Sequence, residues 1–446
     1  MPLSREKPEL IYMSRTIYID HTDTVFFQIN TGIQRVQRNI LSNALLAQER
    51  LNIKVRSIML LGDNFFDTTG ADYLSSVILH LFRPSRFRLL AISILPHFKD
   101  AINLYWKGPY KALLVLPLLA VITPVSILSM AYFLMGGLTK VTFKKSDIYF
   151  IPDASWWSED FDFKKVIAMK KQGCAFVVLI HDIFPITHSS IRAENLNKFP
   201  QNFKHVCNYA DLLVMNSAYT MAEVSSYLQE SGSRRSDLRL TSFRPGCDIG
   251  LASRNRNVRP NLKKIFSKAP PYISVGTIEP RKNYQFLLDV FDNLWSKTNY
   301  DVSICIIGKY GWKSEQTVDR IKSHPKYNVN LFWFDDLSDY ELIFCYKESK
   351  ALLYPSLAEG FGLPLIEAIN YRCKVMASDI PIFHEIGGTI CDYFSLDSTE
   401  ELYRLILDFE NTEQSPIVKS LDFRYPNWRE STEELLKLIL KNTDSP

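Results

Sequence analysis

Short apolar runs of strand length recur along this chain, separated by amphipathic stretches of helical length. The first set comprises Thr16–Asp20, Ile53–Met59, Asp147–Ile151, Ala175–Ile180 and Leu212–Met215. Between them, "TGIQRVQRNILSNALLAQ" and "SAYTMAEVSSYLQE" repeat apolar residues at spacings of three and four. A polar, proline-bearing stretch then breaks the rhythm and predicts a linker near residues 246–268. The alternation restarts with strands predicted at Tyr272–Val275, Val302–Ile307, Leu331–Phe334, Ala351–Tyr354 and Lys374–Ala377. Helices are predicted near Tyr284–Trp295, Ser338–Lys347 and Pro364–Tyr371, with Ser338 and Glu341 at capping-box spacing. A final helical pattern, "NWRESTEELLKLILK", could pack back on either half. Alternation of this kind, run twice, predicts α/β architecture: two Rossmann-like domains, residues 1–256 and 257–446, facing across a cleft. Ligands of such sheets sit beyond the carboxyl ends of the strands, so the residues just past each strand carry the functional question.

One stretch does not fit the alternation. Residues 112–139, within an apolar insertion at about 85–140, carry no charge and are long enough to raise a membrane span. Pro117 and Pro124 interrupt it, and lysines flank both ends, Lys107 and Lys111 before it and Lys140, Lys144 and Lys145 after it. Candidate strands of one sheet also lie on either side of it, which a single crossing would separate. The expectation is a re-entrant hairpin or an interfacial helix at the membrane surface, with a buried core helix as the alternative.

Composition narrows the partners. At 446 residues with 46% hydrophobic content, the chain can bury more than one core. A net charge of +4 without a basic, aromatic-interleaved patch argues against nucleic acid. Seven scattered cysteines show neither metal-ligand nor disulfide spacing, and the N-terminal residues lack a secretory pattern. The expected location is cytoplasmic, peripheral or re-entrant at the inner face of the cytoplasmic membrane.

Candidate chemistry gathers in the second half. Arg281 and Lys282 follow Gly276 on the loop after the first strand there, supplying a bidentate fork and a mobile point charge for phosphate. In "YPSLAEGFGLPLIEAIN", the turn Gly360-Phe361-Gly362 feeds a helix N-terminus, a natural anion site, yet Glu359 and Glu367 flank it.

The motifs "VGTIEPRKN", "GKYGWKSE", "YPSLAEGFGLPLIEA" and "SDIPIFHEIGG", in that order, resemble the donor-binding half of retaining glycosyltransferases of family 4, which have the GT-B fold. The likeness is strong over about 245–395 and extends more weakly to "TGIQRVQRN" and "IHDIFPITH". "EPRKN" together with "HDIFP" is most similar to the mannosyltransferase-like branch that builds bacterial surface polysaccharides. The resemblance implies a retaining, metal-independent hexosyltransferase that takes a nucleotide diphosphate sugar, GDP-linked mannose or a related sugar first, and no cofactor. The acceptor would be a lipid-linked or growing glycan. It further implies that Glu367 holds the ribose, that Glu359 faces the sugar, and that the amides of Gly360, Phe361 and Gly362 hold the diphosphate. Arg281 and Lys282 would stabilise charge on the leaving group. Ile278 and Asn283 stand where many relatives have Arg and Gly, which places more of the phosphate role on Arg281 and Lys282.

The first half would supply the acceptor side. Gly32 permits close backbone approach to donor or acceptor, or serves a simple helix-start turn. His181 and Asp182 end the apolar strand "CAFVVLI"; the resemblance gives His181 contact with the transferred sugar, and Asp182 orients it or binds acceptor hydroxyls. Asp153 and Trp156 follow another strand, where a Trp face suits a sugar ring or the core. Asn216 and Ser217 read as a helix cap. The competing readings are another GT-B enzyme such as a nucleotide-sugar epimerase, a two-carboxylate glycosidase, and a non-catalytic nucleotide-binding scaffold.

Overall fold

The computed structural model describes residues 15–22, 32–61, 64–69, 139–157, 161–188, 198–249, 257–412 and 424–444. Among them, β1 (Thr16–Asp20), β2 (Lys54–Leu61), β3 (Asn64–Asp67), β4 (Ile148–Ile151), β5 (Ala175–Ile180), β6 (Leu212–Met215) and β7 (Arg239–Ser242) form a sheet ordered β3-β2-β1-β4-β5-β6-β7. A second sheet holds β8 (Tyr272–Val275), β9 (Ile304–Ile307), β10 (Leu331–Phe334), β11 (Ala351–Tyr354), β12 (Lys374–Ser378) and β13 (Asp392–Phe394), ordered β10-β9-β8-β11-β12-β13. Its strand pairs are all parallel, and β8 and β11 at its centre are buried along their whole length. Continuous apolar strands of this kind need cover on both faces, which is why they alternate with helices. The chain divides into two compact units: Met1–Asn30, Gln48–Ser155 and Asp162–Phe176 make one, and Thr31–Ala47, Trp156–Phe161 and Val177–Pro446 the other.

In the first unit, β3 runs antiparallel to β2. The amide of Asp67 donates to Thr139 O (2.9 Å) and that of Val141 to Phe65 O (2.8 Å), so the chain re-enters beside the strand it left. The uncharged segment expected at the membrane, through residue 138, lies outside the described residues. No helix among those described is long and apolar enough to cross a membrane.

In the second unit, helix Ala218–Glu230 starts at Ser217, whose side chain accepts from Thr220 N (3.0 Å), the cap expected from the sequence. Ser338 and Glu341 close a capping box on helix Asp339–Glu348, and Arg259 clasps the same Glu341 carboxylate through Nε (2.7 Å) and Nη2 (3.0 Å). The predicted linker is corrected in its second half. Pro260–Lys268 is a helix, with Pro260 in its first turn, where a missing N–H costs nothing, and Leu262 and Phe266 buried one turn apart. Helix Trp428–Thr443 packs on β6, and Arg239 Nη1 donates to Asn442 O (2.6 Å).

Candidate functional site

The site is built in the second unit from three loop segments. At the end of β8 the chain turns through Gly276, at φ +154°, into a 3-10 turn Pro280–Lys282 and the left-handed Asn283 before helix Tyr284–Lys297. A Cβ on Gly276 would stand 3.1 Å from Lys282 Cε, so the glycine leaves room for the lysine stem to fold back. At the end of β11, Tyr354 and Glu359 receive that lysine. Lys282 Nζ donates to Tyr354 Oη (2.9 Å) and to Glu359 Oε1, and Tyr354 Oη donates to the same Oε1 (3.0 Å). Arg281 Nη1 donates to Glu359 Oε2 (2.5 Å) and Ala358 O (3.0 Å), while its Nε (3.1 Å) and Nη2 (2.7 Å) donate to Glu279 Oε1. Two cations therefore face two carboxylates, Glu279 and Glu359.

Protonation follows from that pairing. Burial pushes the Glu359 carboxyl up, but Arg281 and Lys282 outweigh it and hold it at about 2. Burial lowers the Lys282 ammonium more than Glu359 raises it, so desolvation falls on the lysine. Arg281 is raised by its carboxylates against burial and stays charged. Glu359 is consequently a fixed anion that only accepts hydrogen bonds.

The third segment follows β5. A Cβ on Gly360 would stand 1.9 Å from His181 O, so only glycine allows the turn to approach this backbone. Gly360 O in turn accepts from Ser217 Oγ (2.8 Å) and Thr220 Oγ1 (2.9 Å). Asp182 lies next along the chain, its carboxyl raised by burial against the pull of Arg281. Together with Phe184, His188, Tyr219, Glu223, Arg281 and Glu359 it lines a shallow pocket open to solvent. Phe184 and His188 stack at 4.9 Å to offer a flat face, and Tyr219 Oη donates to Glu223 Oε1 (3.1 Å). Burial raises the Glu223 carboxyl as well.

Gly362, at φ +104°, starts helix Leu363–Asn370, and Phe361 beside it is buried. Glu367, one turn into that helix, accepts from Tyr346 Oη (3.0 Å) and pairs with Arg35 Nη1 (2.9 Å). Its burial raises the carboxyl despite Arg35.

The structure thus brings together Gly276, Arg281, Lys282, Glu359, Gly360, His181 and Asp182. Phe361 and Gly362 continue the same turn and Glu367 lies in the helix it starts, whereas Asp153 and Trp156 lie elsewhere. Trp156 is 2% exposed and packed on Phe199 and Phe203, a core position that leaves no ring face for sugar. Asp153, fully buried in the other unit, accepts from Ser155 N (2.9 Å) in a local turn. Gly32, exposed at the first residue of helix Gly32–Leu51, lies beside the start of the Gly362 helix, where an added Cβ would stand 4.0 Å from Leu363 Cδ1. Sequence reasoning missed Glu279, Glu223, Tyr354, Tyr346 and Arg35. Arg35 did carry a signal: a cation in the first turn of a helix opposes the macrodipole, so something outside the helix must favour it. Among the described residues no group of three His, Cys, Asp or Glu is placed to hold a metal.

Residues 257–412 match the family model "Glycosyl transferases group 1". The chain is 30% identical over 311 residues to "Serotype-specific mannosyltransferase WbdA" of Escherichia coli, covering 68% of this chain and 38% of that protein. It is 31% identical over 146 residues to "O-antigen chain mannosyltransferase RfbU" of Salmonella typhimurium, covering 32% of this chain and 39% of that protein. The chain thus spans about two fifths of the length of these curated relatives. Among solved structures it is similar to an alpha,alpha-trehalose-phosphate synthase (UDP-forming) from Burkholderia vietnamiensis, with a TM-score of 0.52, 11% identity and 96% of both chains covered. That likeness shows the fold, the GT-B type of α/β architecture expected from the motifs.

Proposed function

From the group 1 glycosyl transferase domain that residues 257–412 form, we propose that this protein is a retaining glycosyltransferase. It moves a hexose, mannose or a related sugar, from a nucleotide diphosphate sugar to a growing or lipid-linked glycan in surface-polysaccharide synthesis. The relatives' names favour mannose, and with it a GDP-linked donor.

The observation that carries the reading is the Arg281–Lys282–Glu359 cluster on the wall of a pocket, with Glu367 eight residues further on. As the glycosidic bond to the diphosphate breaks, negative charge grows on the leaving oxygens, and preorganised cations at that point lower the barrier. Arg281 and Lys282 supply them without a metal. Glu359, ionised at every working pH, accepts from sugar hydroxyls and holds both cations in place until the diphosphate arrives. Glu367 accepts from the ribose. In the pocket, Asp182 and Glu223 accept from neutral hydroxyls, and the Phe184–His188 face suits the C–H side of a sugar ring. Transfer proceeds on the face the leaving group departs from, with a donor phosphate oxygen taking the acceptor's proton. A glycosidase requires a carboxylic acid to protonate its leaving oxygen; Glu359 at about 2 is unsuited to that role. The uncharged segment 112–139 supports attachment to a membrane face.

The test is transfer from GDP-mannose to a mannan oligosaccharide, with and without EDTA, and the product's anomeric configuration read by NMR. Arg281→Ala is expected to lower kcat by about 10²- to 10³-fold, as for loss of one oxyanion donor. Failure of every nucleoside diphosphate to raise the melting temperature would sink the donor reading. Removing 112–139 is expected to release the protein from vesicles; unchanged partitioning refutes the attachment.

A further inference from the structure

Arg35 is the second partner of Glu367, and its geometry is incomplete. Nη1 pairs with Glu367 Oε1 at 2.9 Å, while Nη2, fully removed from solvent, has no acceptor. Buried donors are nearly always satisfied, so an orphaned guanidinium nitrogen beside a candidate ligand site calls for an acceptor that arrives with the ligand. The arginine is also placed against its own helix's interest, in the first turn of Gly32–Leu51. Glu367 is poised in a complementary way. Each of its oxygens has one partner, Arg35 on Oε1 and Tyr346 on Oε2, which leaves each with accepting capacity.

A vicinal diol has two kinds of group to satisfy: hydroxyl hydrogens that need an acceptor and oxygen lone pairs that need a donor. A carboxylate held side by side with a guanidinium supplies both. Resting on the reading of Glu367 as the ribose-holding residue, we propose that Arg35 completes the ribose site, Nη2 donating to the diol oxygen whose hydroxyl donates to Glu367. Arg35 is then a donor-binding residue contributed by the chain ahead of the group 1 domain. An ammonium cannot replace it, because only the planar fork keeps one nitrogen on Glu367 while the other faces the ligand.

The experiment measures binding of GDP, UDP and their 2′,3′-dideoxy counterparts by calorimetry to the parent protein, Arg35→Lys and Arg35→Gln, after checking that each variant melts cooperatively without ligand. The parent is expected to prefer the ribonucleotide by tenfold or more. In both variants GDP or UDP binding weakens about tenfold and the preference for the ribose hydroxyls collapses, whereas the dideoxy affinity changes little. If a variant keeps the parent's ribose preference, or if it weakens ribo and dideoxy ligands equally, Arg35 only braces the helix and the proposal is overturned. If the parent itself shows no ribose preference, the proposal fails without any variant. If the parent binds no nucleoside diphosphate at all, the donor-site reading fails instead.

Discussion

The Glu359 carboxyl is pulled two ways, up by burial and down by Arg281 and Lys282, and the cations win, leaving it at about 2 against an ordinary 4.5. Because the folded-state value is depressed, the carboxylate's contribution to stability is complete above about pH 4.5 and is lost as pH falls toward 2. The same pairing leaves the Lys282 ammonium lowered by desolvation, so part of what Glu359 contributes is offset on the lysine. Urea unfolding between pH 2 and 6 is therefore expected to show a steep decline below pH 4.5 that flattens in Glu359→Gln; an unchanged slope in the variant would show that the cluster is not ionised as described. Glu359, Arg281 and Lys282 were readable from the sequence as types of residue after a strand, whereas Glu279 was missed. Their pairing was not, since Arg281 and Glu359 are 78 positions apart. Tyr354 and Tyr346 were hidden for another reason: in "ALLYP" and "LIFCYK" a tyrosine reads as one more apolar residue, and only the partner of its hydroxyl distinguishes it.

At the scale of elements, the glycine turn after β11 has a sharper requirement than anion binding. Gly360 lies where a side chain would collide with the His181 carbonyl, and its own carbonyl is held by Ser217 and Thr220 at the start of helix Ala218–Glu230. The Glu385 carboxylate accepts from the amides of Ala218 (2.9 Å) and Tyr219 (2.7 Å) at the same helix start. Gly360→Ala is expected to push this turn away from His181, displacing Glu359 with it, and to lower kcat more than tenfold while costing about 1–3 kcal/mol for overpacking against backbone. A variant with parental kcat would show that the turn has slack the geometry does not indicate. Strands rich in Val, Ile and Leu were legible, as were the helices with capping signals at Ser217 and Ser338. Three of the missed elements lacked those signals. β7 reads "RLTS" and is only half-buried, β13 is three residues long, and helix Pro260–Lys268 offers two buried apolar residues after a proline that reads as a breaker.

At the scale of the whole chain, the repeated strand–helix rhythm announced two sheets, because each sheet is a local succession of units and the polar stretch between them is visible in composition. Where the last helix would pack was not decidable from its own amphipathic pattern, since either sheet could cover it. The structure lays Trp428–Thr443 on β6, with Ser431 Oγ donating to Arg244 O (2.5 Å) and Gly246 so close that a Cβ would stand 2.4 Å from Trp428 N. Trp428, Leu435, Leu436, Ile439 and Leu440 are buried on that face. At about 1.5–3 kcal/mol for each such side chain, the helix contributes on the order of 10 kcal/mol, which is comparable to the net stability of a domain. It is therefore part of the fold on which the earlier strands depend. Leu436→Ala is expected to cost about 2–5 kcal/mol in urea unfolding, with the m-value unchanged. Ending the chain before Asn427 should abolish cooperative unfolding altogether; a truncated protein that still melts sharply near the parental temperature would refute this account of the last helix.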